Sequence, residues 1–365
     1  MQTRSIYMGS VAIGGNAAVS IQSMCNTDTG DVDASLQQID RLSRLGCEII
    51  RLAVPTAAVL PAFRQICASS PLPVIADIHF DYRLALGSIE AGAAGIRINP
   101  GNIKDEAKVR LIAKTAMAAK VVVRVGVNLG SLAPAMEEKY GRTAAAMVQS
   151  ALEYCRLFTD EGCQALKVSL KASDLRLTIA ANRQFAAQSD IPLHLGVTEA
   201  GTASNGIVKS AIGIGSLLLE GIGNTIRVSL TAPPEEEVRT AVRILSALGL
   251  RQAGPELISC PTCGRTKIDL FALANAVEDE LAKFAAAGKT LPWKKIAVMG
   301  CEVNGPGEAR DADIGIAGGN GQGLLFKYGK VVKTLPENEL LPALLAEMQA
   351  ASLAMAAGQQ DLSGQ

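Results

Sequence analysis

The sequence predicts an α/β protein in which a TIM (βα)8 barrel is followed by a small α+β domain. Between residues 19 and 250, a short β-branched run is followed by an amphipathic stretch eight times over. Strands that alternate with helices indicate parallel βαβ units, and eight such units favour a closed barrel. The alternative is an open doubly wound sheet, whose usual GxGxxG sequence after the first strand is missing here.

Each predicted barrel strand is short and rich in β-branched residues, as the strands of a buried parallel sheet are. The strands are VSIQSM (19–24), EIIRLAV (48–54), PVIADIH (73–79), GIRIN (95–99), VVVRVGV (121–127), ALKVSL (165–170), PLHLGV (192–197) and TIRVSL (225–230). Helical periodicity between them is clear at residues 34–46, 173–188 and 235–249. We expect a substrate-binding barrel domain at residues 1–250.

The pattern changes after about Arg251, where Gly254 and Pro255 predict a linker. A cysteine motif follows, and the remaining sequence predicts an α+β domain at residues 255–365. Its expected helices span residues 268–287 and 337–356, and its expected strands span residues 296–299, 314–317 and 324–328.

The composition is that of a compact domain protein, with 48% apolar and 19% charged residues. Lysine plus arginine and aspartate plus glutamate each total 35, which argues against a general nucleic-acid or membrane-surface binder. We find no apolar run long enough to span a bilayer and no apolar core of a signal peptide near residue 1. We therefore expect a cytoplasmic protein, whose eight cysteines are mostly reduced thiols or metal ligands.

Several predicted barrel strands carry a cation inside or directly after an apolar run. A buried guanidinium is costly unless it is paired, so one interpretation is structural ion pairs with Asp77 or Glu199. The second interpretation is a binding site, because the carboxyl ends of all barrel strands meet at one mouth. Several cations at one mouth, including arginine forks that match phosphate oxygens, indicate a diphosphate. These basic residues are Arg51, His79, Arg97, Arg124, Lys171, His194 and Arg227.

Neutral polar residues and one carboxylate accompany these cations near the strand ends. Glu199 ends the seventh strand, where it either acts as a general acid or base or neutralises an arginine. The neutral residues are Asn99, Asn128, Ser169, Thr198 and Ser229.

The second predicted domain contains three cysteines that are spaced for metal binding. Cys260 and Cys263 can chelate one metal centre, and Cys301 can join them across the fold. A structural zinc ribbon normally needs four Cys or His ligands, and both histidines of this chain fall in the predicted barrel. A cubane iron–sulfur cluster with three thiolates and one weaker ligand is the other interpretation, with Glu308 as the best candidate for that ligand. Zinc remains open at this point.

Nine segments together resemble the 4-hydroxy-3-methylbut-2-enyl diphosphate synthase family of the methylerythritol phosphate route to isoprenoids. The resemblance covers nearly the whole chain, and its length resembles the two-domain bacterial form. The segments are GGNAAVSIQSMCNTDTGD, DIHFDYRLAL, IRINPGNI, VRVGVNLGSL, KVSLKASD, PLHLGVTEAG, LLLEGIGNTIRVSL, SCPTCGR and MGCEVNGPGEA.

The resemblance implies an iron–sulfur oxidoreductase that opens the ring of 2-C-methyl-D-erythritol 2,4-cyclodiphosphate and removes a hydroxyl group with two electrons. It also implies flavodoxin or ferredoxin as electron donor, and a head-to-tail homodimer in which one subunit's cluster domain caps the other's barrel. The implied [4Fe-4S] ligands are Cys260, Cys263, Cys301 and Glu308. The implied diphosphate ligands are Arg51, His79, Arg97, Arg124, Lys171, Arg227 and Ser229. Glu199, as proton donor, Asn128 and Asn304 would serve the reacting carbons.

The chain departs from the family pattern at three positions. The family usually has Pro where this chain has Ala18, Thr where it has Cys25, and Asp where it has Asn224. Two other functions remain as alternatives: a barrel lyase or transferase for a phosphorylated substrate with a structural zinc domain, and a non-catalytic iron–sulfur sensor. The strand-end cations favour the enzyme, since a sensor has no use for a polyanion site.

Overall fold

We describe the chain from a computed structural model, in which the described residues are 2–251, 254–301 and 311–362. The chain divides into two compact units, Met1–Arg251 and Gln252–Gln365. Each unit is built around its own apolar core, and each is described here by itself.

The first unit contains a closed barrel of eight parallel strands. The strands are hydrogen-bonded in the order β8-β7-β6-β5-β4-β3-β10-β9, and a parallel bridge between Val168 and Leu193 joins the two ends of this order. The amide of Val168 also donates to the carbonyl of Pro192 at 2.9 Å. The predicted TIM barrel is thus confirmed. The strands are β3 (Ser20–Met24), β4 (Ile49–Ala53), β5 (Val74–Asp77), β6 (Gly95–Ile98), β7 (Val122–Asn128), β8 (Leu166–Lys171), β9 (His194–Leu195) and β10 (Thr225–Ile226).

Helices surround the barrel, and several begin at an aspartate whose side chain accepts a hydrogen bond from the first turn. Asp31, Asp105 and Asp174 are such N-caps, which satisfy amides that have no partner within the helix. The helices are α1 (Val32–Arg44), α2 (Leu60–Ser69), α3 (Tyr82–Glu90), α4 (Glu106–Ala118), α5 (Pro134–Tyr140), α6 (Ala144–Thr159), α7 (Leu175–Ala186), α8 (Ala203–Leu219) and α9 (Pro234–Ala247).

A small hairpin that we did not predict closes the amino-terminal end of the barrel. It pairs β1 (Ile6–Met8) with β2 (Val11–Ile13) through the two-residue turn Gly9–Ser10. Gly9 has a φ of 57°, which the first central position of a type II′ turn requires. The apolar side chains of the hairpin pack with those at the starts of the barrel strands. This floor cluster comprises Ile6, Met8, Ile13, Ile49, Ile75 and Val122.

In its described residues, the second unit is a five-stranded sheet with two helices. Its strand order is β11-β12-β13-β14-β15, in which β11, β12 and β13 are parallel and the last two pairings are antiparallel. The strands are β11 (Glu256–Ser259), β12 (Lys295–Met299), β13 (Ile314–Gly318), β14 (Gln322–Lys327) and β15 (Lys330–Pro336), and the helices are α10 (Leu270–Ala286) and α11 (Glu337–Leu362).

Helix α11 differs from its sequence-based description. Its segment Glu337–Ala357 is long and apolar enough to cross a membrane by length and composition alone. The expectation that no run of this chain meets that test was therefore wrong. Leu340, Leu344 and Met348 of this helix are fully buried in the core of the second unit, although only 22% of the apolar segment is buried.

Candidate active site

The inward-facing positions of four barrel strands change from apolar to charged within two residues. Alternate residues of a strand face the same side, so a residue two positions after a floor residue also points into the barrel. On β5, Ile75 is followed in this way by Asp77. The corresponding pairs on β4, β6 and β7 are Ile49 and Arg51, Gly95 and Arg97, and Val122 and Arg124. Asp77 ends β5 and Arg97 is next to last in β6, whereas Arg51 lies midway along β4 and Arg124 is the third residue of β7.

Two carboxylates partly neutralise this charged layer. Asp77 accepts a hydrogen bond from Arg97, with 3.4 Å between Oδ1 and Nη1, and lies 3.8 Å from His79 Nε2. Glu237 on α9 lies 3.5 Å from Arg227 Nη2 and also accepts from the amide of Leu230. Structural ion pairing therefore accounts for part of the predicted cation set.

Several nitrogen atoms of the layer nevertheless have no carboxylate partner among the described residues. Nε and Nη1 of Arg124 are buried without a hydrogen-bond partner, as is Nε of Arg97. Arg51 donates to the thioether sulfur of Met24 at 2.8 and 3.2 Å, which supplies no negative charge. An anionic ligand would satisfy these donors, since buried polar groups in native proteins are generally hydrogen-bonded.

The pKa values of the cations reflect this crowding. Burial lowers the pKa of Arg51 to about 9, against the opposing effect of Asp77. Burial also lowers the pKa of Arg124 and Lys171 well below their ordinary values, and the neighbouring positive charges lower both further. Burial alone would raise the pKa of Asp77, but Arg51 and Arg97 outweigh it and hold that pKa below its ordinary value. The layer is thus charged at a cost that a bound anion would relieve.

Two strand glycines make room for the cations. A Cβ atom on Gly126 would lie 2.9 Å from Nε of Arg97, and a Cβ atom on Gly196 would lie 2.5 Å from Nζ of Lys171. Any larger residue at either position would push a cation aside. The close packing of glycine against charged groups indicates a built binding site, because a structural ion pair does not need such space.

In the second unit, Cys260 directly follows β11, and Cys301 comes two residues after the end of the neighbouring parallel strand β12. Ser259 pairs with Val298, so the two cysteines lie at the same carboxyl edge of the sheet. The amide of Gly300 donates to Sγ of Cys260 at 3.3 Å. Cys263 is exposed, and hydrogen bonds from Arg265 and Thr266 lower the pKa of its thiol. The three thiols are free.

The loop that carries Cys263 packs closely on two glycines at this edge. A Cβ atom on Gly300 would lie 2.9 Å from Cγ2 of Thr266, and one on Gly318 would lie 2.3 Å from Cδ1 of Ile268. The hydroxyl of Thr266 also accepts from the amide of Cys263 at 3.1 Å. These contacts hold the cysteine loop against the sheet. Within the described residues, no group of three Cys, His, Asp or Glu side chains is close enough to hold a metal ion.

Residues 3–242 match the family model described as "GcpE TIM-barrel domain", and residues 256–350 match the family model described as "GcpE protein C-terminal domain". The chain belongs to the GcpE family. The 4-hydroxy-3-methylbut-2-en-1-yl diphosphate synthase (flavodoxin) of Geobacter sulfurreducens is 52% identical over 95% of this chain and 97% of that protein. The protein of the same name from Lawsonia intracellularis is 51% identical over 95% of this chain and 96% of that protein. The resemblance predicted from the sequence is confirmed.

Among solved structures, the dihydropteroate synthase of Yersinia pestis is similar to this GcpE family member with a TM-score of 0.49. The sequence identity is 14%, and the match covers 67% of this chain and 97% of that one.

The other site residues predicted for this GcpE family member lie at or near the ends of barrel strands. Asn128 and Lys171 end β7 and β8, and the half-buried Ser229 comes shortly after β10. Glu199 is exposed in the loop after β9, and its φ of 54° is unusual for a residue with a side chain. The side chain of Asn99 is engaged in protein contacts: its amide nitrogen donates to the hydroxyl of Ser131, and its carbonyl oxygen accepts from the amide of Gly101. Asn304 and Glu308 lie outside the described residues.

Of the three departures from the family pattern, Cys25 adjoins the charged layer, because its amide donates to the carbonyl of Arg51 at 3.0 Å. Asn224 lies just before β10, where its side chain accepts from the amide of Leu193 at 3.0 Å and donates to Thr3 at 3.1 Å. It therefore does not support Arg227, whose carboxylate partner is Glu237. Cys25 is buried, and that burial raises the pKa of its thiol to about 12. Ala18 is exposed.

Three further buried polar residues lie on barrel strands. From the sequence we assigned no role to Lys167 or Gln22, and we grouped His194 with the basic residues of the strands. Lys167 and His194 are fully buried, and Gln22 is 2% exposed. Lys167 could have been found, because Lys167, Ser169 and Lys171 alternate along β8 and must share its inner face. Gln22 gave no such signal, since a single amide in an apolar strand has no characteristic spacing.

Proposed function

We propose that this chain converts 2-C-methyl-D-erythritol 2,4-cyclodiphosphate to 4-hydroxy-3-methylbut-2-enyl diphosphate by reductive ring opening and loss of a hydroxyl group. The observation that carries the proposal is the layer of buried cations with incomplete neutralisation inside the barrel. Membership of the GcpE family and the names of its relatives support the same reaction. A lyase or transferase with a zinc domain is not favoured.

The cationic layer binds the diphosphate and fixes the ring for reaction. The guanidinium groups of Arg51, Arg97 and Arg124 are held on rigid strands, so they can meet phosphate oxygens without a large loss of entropy. Lys171 and Arg227 supply further charge, and His79 and Ser229 supply hydrogen bonds from the rim. Because these groups are buried, each interaction with the diphosphate is stronger than it would be in water.

Glu199, Asn128 and Asn304 serve the reacting carbons. Glu199 donates a proton as the hydroxyl group leaves as water, and its exposed position allows it to recover that proton from solvent. Its left-handed backbone stores strain of the kind that is concentrated at functional sites. Asn128 at the end of β7 positions the carbon skeleton by hydrogen bonding, and the family resemblance implies the same role for Asn304, which lies outside the described residues.

Cys260, Cys263 and Cys301, with Glu308, would hold a [4Fe-4S] cluster. The donor set fits, because thiolates are the usual ligands of such clusters. The hydrogen bond from the amide of Gly300 to Sγ of Cys260 also stabilises negative charge on the sulfur. When bound, the cluster supplies two electrons one at a time. Flavodoxin is the donor we propose, in agreement with the names of the relatives. We also propose a head-to-tail homodimer and a cytoplasmic location.

Binding and turnover of the cyclodiphosphate test the reaction. The anaerobically purified enzyme should bind the cyclodiphosphate, show a raised melting temperature, and form product with reduced flavodoxin or dithionite. Arg227→Met should abolish the thermal shift, whereas Arg239→Met, at a half-exposed arginine of α9, should leave it unchanged. Equal binding by both variants would show that Arg227 is structural and would contradict the proposed site.

Metal analysis tests the cofactor. Protein purified without oxygen should contain about four irons and four sulfides per chain, and Cys260→Ser, Cys263→Ser and Cys301→Ser should each lose them. Cys67→Ser in the barrel is the matched control and should retain the cluster. Glu308→Ala should give a labile cluster that falls to about three irons, seen by electron paramagnetic resonance. Stoichiometric zinc without iron would overturn this assignment.

A further inference from the structure

Lys167 is a buried cation on the inner face of β8 that the proposed reaction does not use. Lys167 is fully buried, and it pairs in register with Arg124 on β7. Lys171 lies four residues further along the same strand, on the same face. Lys167 therefore lies deeper in the barrel than the lysine assigned to the diphosphate.

The contacts of Lys167 include no negatively charged group among the described residues. Its Nζ lies 3.4 Å from the hydroxyl of Thr225, and that hydroxyl is 2.9 Å from the hydroxyl of Ser20. The register of the barrel aligns Thr225 with Ser20 on one side and with His194 on the other. Within the described part of the chain, no carboxylate forms an ion pair with Lys167. Hydroxyl groups can satisfy one hydrogen bond of the amine, but they do not neutralise an ammonium ion.

The other groups that surround this position do not add negative charge. His194, which is in register with Thr225, is fully buried, and neither of its ring nitrogens has a hydrogen-bond partner among the described residues. The charged and titratable groups that act on Lys167, or on which it acts, are Arg124 and His194. Both disfavour a second positive charge when they are protonated.

An ammonium ion in this position is costly in the free protein. Transfer of a charge from water to the interior is unfavourable unless an opposite charge compensates it. Burial accordingly lowers the pKa of Lys167 well below its ordinary value, and the charge of Arg124 lowers it further. A diphosphate bound at Arg124 changes this balance, because its negative charges act on Lys167 through the same low-dielectric interior.

We infer that Lys167 is a positioning residue of the diphosphate site, which takes up a proton from solvent when the diphosphate binds and then reinforces Arg124 with a second buried positive charge. The inference rests on the proposed function, since it requires the diphosphate to bind in the barrel. Proton uptake makes the affinity for the diphosphate rise as the pH falls from the range in which Lys167 titrates in the complex to the range in which it titrates in the free enzyme, and the affinity levels off below that range.

Calorimetry separates this inference from the proposed function. The anaerobic holoenzyme, without an electron donor, is titrated with 2-C-methyl-D-erythritol 2,4-cyclodiphosphate in two buffers of different ionisation enthalpy. The titration gives the affinity, and the difference between the buffers gives the number of protons taken up. Absence of binding would overturn the proposed function and this inference with it. Binding without proton uptake would overturn the inference alone.

Lys167→Met assigns the proton. Methionine keeps the length of the side chain and removes its charge, so the variant should take up about one proton fewer and bind the cyclodiphosphate about tenfold more weakly. Its melting temperature without ligand should be equal or higher, because an uncompensated polar group has left the interior. A merely structural lysine would instead lower the melting temperature and leave proton uptake unchanged.

Two further variants complete the test. Lys114→Met, at an exposed lysine of α4, should behave as wild type in affinity and in proton uptake. His194→Gln removes the other titratable group near Lys167 and should retain proton uptake. Loss of uptake in His194→Gln together with its retention in Lys167→Met would assign the proton to the imidazole and refute the role of Lys167.

Discussion

The floor of the barrel and its charged layer are built by the same strands but have opposite chemistry. On β5 the floor is Ile75 and the charged layer is Asp77, and on β7 the corresponding residues are Val122 and Arg124. Two residues along a strand span roughly 6.6 Å. The floor is sealed by apolar contacts with the hairpin, whereas the charged layer contains donors without partners among the described residues. The residues that stabilise the free protein and the residues that we expect to bind the ligand are therefore only two positions apart on the same strands.

This comparison predicts opposite effects of substitution in the two layers. Loss of a floor side chain removes apolar contacts that stabilise the free protein. Loss of a charged side chain removes an unfavourable buried charge from the free protein and a favourable interaction from the complex. Variants that reduce stability and affinity together would erase the distinction.

The largest effect should come from Arg124→Met. Arg124 is 2% exposed and is surrounded by other cations, so its replacement should leave the free enzyme equally stable or more stable. Affinity for the cyclodiphosphate should fall by about 100-fold or more, since a buried charge-assisted contact is lost. Calorimetric titration and urea denaturation measure the two quantities. A large loss of stability with retained affinity would identify Arg124 as a structural residue.

Ile75→Ala should show the converse behaviour. Ile75 is fully buried against the hairpin, and its truncation should lower the free energy of unfolding by about 2–4 kcal/mol. Affinity for the cyclodiphosphate should change by less than about threefold below the melting temperature, because the charged layer is left in place. Urea denaturation monitored by circular dichroism gives the first quantity. If affinity falls as much as in Arg124→Met, the floor and the charged layer act as one unit.

The sequence predicted the barrel well because its signals are local and repeated. All eight strands were found, since each is a β-branched run between helical stretches, although β9 and β10 are shorter than their runs suggested. The floor hairpin was missed because strands of three residues are too short to show alternation, although Gly9–Ser10 was a usable turn signal. Strand β15 was missed for a related reason, since its residues are mostly exposed and carry no apolar alternation.

The charged layer was only partly predictable. Arg97 and Arg124 were recognised because a cation in an apolar strand is conspicuous. Pairing of an arginine with Asp77 was also expected, but the pairing of Arg227 with Glu237 was not, because Glu237 lies on a helix whose orientation toward Arg227 depends on the closed barrel. The role of Gly126 was also hidden, since the approach of Arg97 to its backbone is a property of neighbouring strands.

Gly126→Ala should have an intermediate effect, because it displaces a charge without removing it. The new Cβ atom would lie 2.9 Å from Nε of Arg97 and 3.3 Å from Oγ of Ser169, and both side chains can shift. We expect affinity for the cyclodiphosphate to fall by about tenfold, since misplaced binding groups lose much of their effect. Gly130→Ala is the matched control, because nothing lies within 4 Å of its Cβ position. Equal affinities in the two variants would show that Arg97 does not need its present position.

Asn224→Asp should have the smallest effect, because it changes a charge at the amino-terminal end of the barrel. The present amide accepts from the amide of Leu193 and donates to the hydroxyl of Thr3, which itself accepts from the amide of Gly15. A carboxylate keeps the first bond and accepts from Thr3 once that hydroxyl rotates, so every partner stays satisfied. Stability should change by less than about 1 kcal/mol, as for surface and partly exposed polar substitutions with retained hydrogen bonds. Affinity for the cyclodiphosphate should not change, because Arg227 depends on Glu237. A loss of affinity in this variant, measured by the same titration, would mean that a charge near the floor affects ligand binding in the charged layer. The two layers would then not be independent.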